Sequence, residues 1–246
     1  MDRGGFFSAN GAESGAADGG TDRAGVIVRT VTAAIVEQRL PPGLKLSEED
    51  LAAVFGVSRT IVRAALRSLA NDRVIVLLPN RGAFVASPGV EEARQVFDAR
   101  RVVEAALIRE AAARATPADV ARAARHLAEE GMALAAGDRP AAIRLSGDFH
   151  LMLASLARQD VLFEFLRELV SRTALVIALY GTTKASSCGT SEHAELLAAV
   201  ERHDGERAAD LMQHHLRHVE ADLDLAPKAA RTTDLSSLRE ALARRP

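Results

Sequence analysis

The 246-residue sequence predicts a mainly α protein in two parts. A small N-terminal head of helices closed by a β-hairpin precedes an all-α antiparallel helical bundle. Three observations carry this reading. Apolar residues make up 48% of the chain, enough for a sizeable core, yet aromatics are only 4% and Trp is absent. Alanine and leucine therefore carry the apolar load, which favours helices over sheets. One stretch departs from helical spacing: VIVLLPNRGAFVAS (74–87) places two β-rich runs around Pro79-Asn80-Arg81-Gly82, a hairpin signal.

The head reads in order. Residues 24–39 repeat apolar side chains at helical spacing, and Leu40-Pro41-Pro42-Gly43 stops that helix. Ser47 then caps a second helix whose first turn holds Glu48, Glu49 and Asp50, where the helix dipole favours anions. It ends at Gly56. A third helix starts at Ser58 or Thr60 and runs to about Ala70, with Arg59, Arg63 and Arg67 along one side. A core helix does not need that row of guanidiniums; a helix lying against polyphosphate does.

Helix, helix, turn, helix, hairpin is the layout of a winged helix-turn-helix, whose third helix enters the major groove of DNA. The hydroxyls of Ser58 and Thr60 and the amides of the helix start suit phosphates. Arg59 or Arg63 can reach a guanine edge with two hydrogen bonds. Charge agrees in sign. The whole chain carries −2, but residues 21–90 hold nine basic and six acidic side chains, hence +3, leaving −5 elsewhere.

Cys188 is the only cysteine, so no disulfide forms within the chain and a reducing cytoplasm is expected. No apolar run reaches the length of a membrane span, and no signal-peptide core is visible. Residues 1–20 are expected to be a disordered lead, 21–88 the DNA-binding head, 89–225 the bundle and 226–246 a tail with one short helix over 234–243.

In the bundle the predicted helices are 91–115, 117–136, 140–158, 160–181, 191–203 and 205–224, with breakers between them. Projected at the helical period, Arg100 falls amid Val96, Val103 and Leu107. His193 aligns with Leu197 and Val200, His215 with Leu211 and Val219, and His150 with the edge of the Leu145, Phe149, Leu153 stripe. Asp148 points nearly the opposite way from that stripe. His214 and His218 lie nearer the flank. One inward histidine is ordinarily satisfied by a backbone carbonyl. Three in one bundle point to a divalent metal, zinc or nickel, with an open coordination position. An inward guanidinium points to an anionic ligand at Arg100.

Residues 24–87 resemble the reading head of the GntR family of bacterial transcription regulators. PG, L-S-E, LA, GVSRT, VR-x-AL and RG-x-FV all occur in order. The resemblance implies operator contacts by Ser58, Arg59, Thr60, Arg63, Arg81 and Gly82, with Arg67 on the same helix side. Two positions depart from the pattern: Glu49 stands where the family often has a DNA-touching arginine, and Ala64 where it usually has glutamate. Both bear on which operator is read.

Residues 91–224 resemble the FCD ligand-binding domain of the fatty-acid-regulator-like branch. The matching pieces are Arg100 with Glu104, FHLMLA, SEHAELLAAV and HHLRHVE. This implies metal ligation by His150, His193 and His215. Ser146 stands where the family's usual fourth ligand, an aspartate, precedes the first histidine by four residues. Water or the effector would complete the shell there, so Ser146 joins Arg100 as an effector-binding candidate. Cys188, in the loop before His193, is a further donor candidate.

The reading that follows is a homodimeric, cytoplasmic, non-enzymatic regulator of double-stranded operator DNA. A repressor is expected, controlled by a small organic-acid effector and with no membrane partner. Two alternatives are a three-histidine metal-dependent hydrolase, with Glu104 and Glu192 as candidate acids, and a sensor of the metal ion itself.

Overall fold

The computed structural model describes residues 19–182 and 189–225, together with Leu242. Cys188 and the residues of the expected tail helix, Leu242 apart, lie outside them, as does the lead before Gly19. Among the described residues the chain forms α1 (Gly19–Val36), β1 (Lys45–Leu46), α2 (Glu48–Phe55), α3 (Arg59–Asn71), β2 (Ile75–Leu78) and β3 (Gly82–Val85). These precede α4 (Val90–Arg114), α5 (Pro117–Ala135), α6 (Arg139–Ser155), α7 (Asp160–Tyr180), α8 (Gly189–Glu201) and α9 (Gly205–Ala221). The described chain divides into two compact units between Ser87 and Pro88.

In the first unit, α1 packs on α3 and α2 also lies against α3. Ile27, Val31, Ile35, Leu51, Val62, Leu66 and Leu69 supply the buried side chains of those helices. Ser47 caps α2, its Oγ accepting from the Asp50 amide at 3.3 Å. Gly56 closes the helix in the left-handed region at φ +61°, where a side chain would be strained. Ser58 caps α3 through the Ile61 amide at 3.5 Å.

The hairpin of β2 and β3 pairs Ile75 with Val85 and Leu78 with Gly82. A third strand extends it: β1 pairs antiparallel with β3, giving the order β1-β3-β2. At two residues, β1 is too short to display the period-2 pattern that marks a strand.

In the second unit, α4 runs along α9 and α7 and also touches α6 and α8. Thr116 and Asp119 form a capping box at the start of α5, with Pro117 at its first position. Asp138 and Asp204 cap α6 and α9 through the amides of Ala141 and Arg207. Gly205 allows α9 to begin hard against α4, because a Cβ there would lie 3.2 Å from the Arg109 carbonyl oxygen. The main core joins Ile108, Phe149, Leu153, Leu196, Val200, Met212 and Leu216 from four helices.

One expectation is corrected here. Asp148 does not turn away from the interior; it is fully buried and accepts from Arg144 Nη1 at 3.3 Å. Helix α6 packs against both α5 and α7, so it has two buried sides and one stripe does not define its interior.

Candidate DNA-reading face and histidine centre

Helix α3 buries Val62, Ala65, Leu66 and Leu69 and exposes Arg59, Thr60, Arg63, Ala64 and Arg67. This division follows the helical period: burying one stripe turns the row at i, i+4, i+8 outward. The exposed arginines are not all alike. Arg63 donates from Nε to both oxygens of Glu48, at 3.1 and 2.9 Å. Arg59 donates from Nη2 to Glu49 Oε2 at 3.1 Å. Both acids come from the first turn of α2. Arg67 has no carboxylate partner among the described residues. In the hairpin, Arg81 is exposed with its guanidinium 5.8 Å from the centre of the Phe84 ring. Gly82 follows at φ +99°, a conformation that side chains rarely adopt.

The second constellation lies inside the bundle. His150 on α6, His193 on α8 and His215 on α9 are all buried, and one ligand atom from each lies within 4.8 Å of the others. Each ring turns its Nδ1 outward to a carboxylate. His150 meets Glu104 of α4 at 2.6 Å, His193 meets Glu130 of α5 at 3.0 Å and His215 meets Glu192 of α8 at 2.8 Å. An ionised carboxylate only accepts, so each Nδ1 donates to it, and in a neutral ring the Nε2 keeps its lone pair. The Nε2 atoms of His193 and His215 then face each other at 3.2 Å. Two lone pairs at that distance repel unless a cation lies between them. Zinc–nitrogen bonds of about 2.1 Å in tetrahedral geometry place neighbouring nitrogens roughly 3.4 Å apart, so the donor set fits such an ion. Carboxylate, imidazole and metal in line is also the usual way a protein orients a histidine ligand.

Electrostatics agree. Burial pushes His150 down to about 3, against the pull of Glu104. Burial also lowers His215, again opposed by Glu192. These rings are neutral near pH 7, the form that binds metal. Burial alone would raise Glu104, but Arg100 and His150 outweigh it and hold it at about 2. Glu192 is likewise held at about 2: its hydrogen bonds to His215 and His218 outweigh the cost of burial.

Arg100 is buried and donates from Nε to Glu104 Oε1 at 2.6 Å. Its Nη2 is buried with no hydrogen-bond partner among the described residues. Arg100, Glu104 and His150 thus form one chain leading to the histidine centre. Ser146 lies one turn before His150 and is half-buried. The space bounded by Glu104, His150, Leu153, Leu166 and Met212 has no room for a water-sized guest. A roomier cleft of about 590 Å³ lies between α5 and α8, but its walls are mostly apolar and hold none of the three histidines.

Two family descriptions match this chain: bacterial regulatory proteins of the gntR family over residues 24–85, and the FCD domain over residues 95–218. The chain belongs to the GntR family. This GntR regulator is 24% identical over 194 residues to the HTH-type transcriptional repressor RspR of Escherichia coli K12, covering 78% of this chain and 85% of that one. It is 28% identical over 195 residues to the Nta operon transcriptional regulator of Aminobacter aminovorans, covering 77% and 90%. A crystal structure of a GntR transcriptional regulator from Rhodococcus sp. RHA1 superposes with a TM-score of 0.71 at 28% identity, over 81% of this chain and 96% of that one. The matched domains and relatives are those of DNA-binding transcription regulators, not enzymes, which overturns the hydrolase alternative.

Within the GntR regulator, the helical period brought the three histidines to light, but their carboxylate partners escaped it. Glu192, named above only as a candidate acid, is partly buried and yet reaches both His215 and His218. Glu130 was not singled out. Its signal lies in α5, where Ala123, His126 and Glu130 share one buried side. Two of the other histidines illustrate the ordinary case: His126 and His203 each contact a backbone carbonyl, that of Leu145 and Ala112, at 2.7 Å.

Proposed function

We propose that this GntR regulator is a dimeric repressor. Its α3 face reads operator DNA, and its FCD domain binds a small carboxylate beside a divalent ion held by His150, His193 and His215. The observation that carries the reading is the convergence of three buried imidazoles, each backed by a carboxylate, with Arg100 joined to His150 through Glu104 and its buried Nη2 without a hydrogen-bond partner among the described residues. The ion supplies a positive centre with open positions, and zinc or nickel suits three imidazoles. Arg100 offers a planar donor to the same anion, and Ser146 adds a hydroxyl one turn from His150. On the head, Ser58, Arg59, Thr60, Arg63, Arg67, Arg81 and Gly82 make the DNA contacts. Exposed Val102, Val161 and Phe165 on the bundle support a second copy as partner. Among the described residues no helix is long and apolar enough to cross a membrane; a cytoplasmic site of action follows from the work on DNA.

The effector must bind one dimer geometry better than the other to move the two recognition helices. Because the space beside His150 is closed, an organic ligand must first open it. That closure also favours a second reading, in which the ion alone is the signal.

The two readings separate in a thermal-shift assay on metal-stripped and zinc-loaded protein across a panel of small mono- and dicarboxylates. The effector reading expects a rise in Tm that needs both zinc and Arg100. A rise with zinc alone, unaltered by every carboxylate, supports the ion sensor. No response to zinc refutes the metal-centred reading.

A further inference from the structure

We propose that Glu48 and Glu49 are positioning residues that restrain Arg63 and Arg59, so that the arginines engage base edges in preference to backbone phosphate. The inference rests on the assignment of Arg59 and Arg63 as DNA-reading residues. It starts from an oddity of charge: a face built to meet polyanion carries two carboxylates paired to its own arginines, at 2.9 and 3.1 Å.

The geometry of the pairs indicates their use. Glu48 takes Arg63 by Nε alone, with both oxygens. That leaves the Nη1 and Nη2 end of the guanidinium, the end that forms two hydrogen bonds with guanine O6 and N7. Glu49 takes Arg59 by one Nη2 hydrogen bond. Both acids stand in the first turn of α2, whose amide groups would otherwise attract a phosphate. They therefore hold the ground that a non-specific backbone contact would use.

On a random duplex base edges match the reading face only by chance, and Arg59 and Arg63 meet mostly phosphates. Meeting them breaks exposed ion pairs and brings two carboxylates toward like charge. A cognate duplex offers base edges with directional acceptors, which Arg63 can take without leaving Glu48. The acids thus weaken random binding more than cognate binding, and raise the ratio between them.

The test begins with a duplex enriched by the wild-type protein from a random library. Binding to that duplex and to random duplex is then measured by fluorescence anisotropy at several salt concentrations, for wild type, Glu48→Gln, Glu49→Gln and the double variant. Glu91→Gln, which makes the same charge change on an exposed acid of the bundle, is the control. We expect the double variant to bind random duplex about three- to ten-fold more tightly, with a smaller change on the enriched duplex. The ratio falls at least about three-fold, and the salt dependence on random duplex steepens by about one ion per arginine released. Glu91→Gln leaves the ratio unmoved. Equal changes on both duplexes, or none, overturn the proposal while leaving DNA reading intact. If the wild type enriches no sequence, the assignment of the reading face itself falls, and the proposal with it.

Discussion

Nε2 of His193 lies 3.2 Å from Nε2 of His215, and each ring hands its other nitrogen to a different glutamate, Glu130 and Glu192. Two imidazoles that face each other in this way are arranged for a third party. The same carboxylate backing at His150, from Glu104, makes the arrangement threefold.

The backing has a measurable consequence. Glu130→Gln keeps the shape of the side chain but removes the charge that strengthens His193 as a donor. Zinc affinity is expected to fall about 10- to 100-fold, while His193→Ala abolishes tight binding. Competition against a chromophoric chelator measures both. Equal affinities in wild type and Glu130→Gln would show that the carboxylate orients nothing.

Arg100 and Glu104 form a buried pair at 2.6 Å, with side-chain exposures of 5% and 1%. Removing one member leaves the other charge buried beside His150. Arg100→Ala is therefore expected to cost roughly 3–5 kcal/mol of stability, far more than an exposed pair would. Urea unfolding of the metal-stripped protein reads this directly. Arg109→Ala, which breaks the exposed pair with Glu206, is the comparison and should move the midpoint little.

The buried histidines give the metal-stripped protein a pH dependence. Folded His150 lies at about 3, below its ordinary 6.5, so the unfolded chain takes up a proton that the folded chain refuses. Stability from this group is complete above pH 6.5 and is lost as pH falls toward about 3. Glu104, held at about 2 against an ordinary 4.5, adds a second loss between those values. Tm should therefore decline as pH is lowered from 7, with His150→Gln reducing the decline above pH 4.5. A Tm that is flat from pH 7 to 5 contradicts this.

On the DNA side, Arg63 and Arg81 should differ in kind. Arg63→Ala is expected to cost about 1–3 kcal/mol on the enriched duplex and to relax preference at one base pair. Arg81→Ala on the hairpin should weaken all duplexes alike and reduce the salt slope by about one. Anisotropy on the enriched duplex and its single-base variants distinguishes the two. The same base-pair relaxation from both variants would contradict the division of roles.

Much of this arrangement was legible in the sequence, for physical reasons that also mark its limits. A helical period shows which side chains turn inward, and it found Arg100, His150, His193 and His215. It does not show which helices become neighbours. Glu104 and Glu192 were already candidate acids, but with Glu130 they stand 46, 63 and 23 residues from their histidines, taken in the order Glu104, Glu130, Glu192, so packing alone reveals the pairings. His126 illustrates the converse: it turns inward just as His193 does, and only the nearby Leu145 carbonyl shows it to be satisfied locally. On the head, the row of Arg59, Arg63 and Arg67 was plain from spacing. The grip of Glu48 and Glu49 depends on the angle between α2 and α3, which no local pattern encodes.

The decisive measurement is release of the enriched duplex, followed by anisotropy, as small carboxylates are titrated into complexes of zinc-loaded wild type and His193→Ala at physiological ionic strength. If the histidine centre governs the reading face, at least one carboxylate frees DNA from the wild type and has no effect on the variant, although both bind the duplex equally well beforehand. Release of both complexes at the same carboxylate concentration, or of neither by any carboxylate or by zinc, would contradict it.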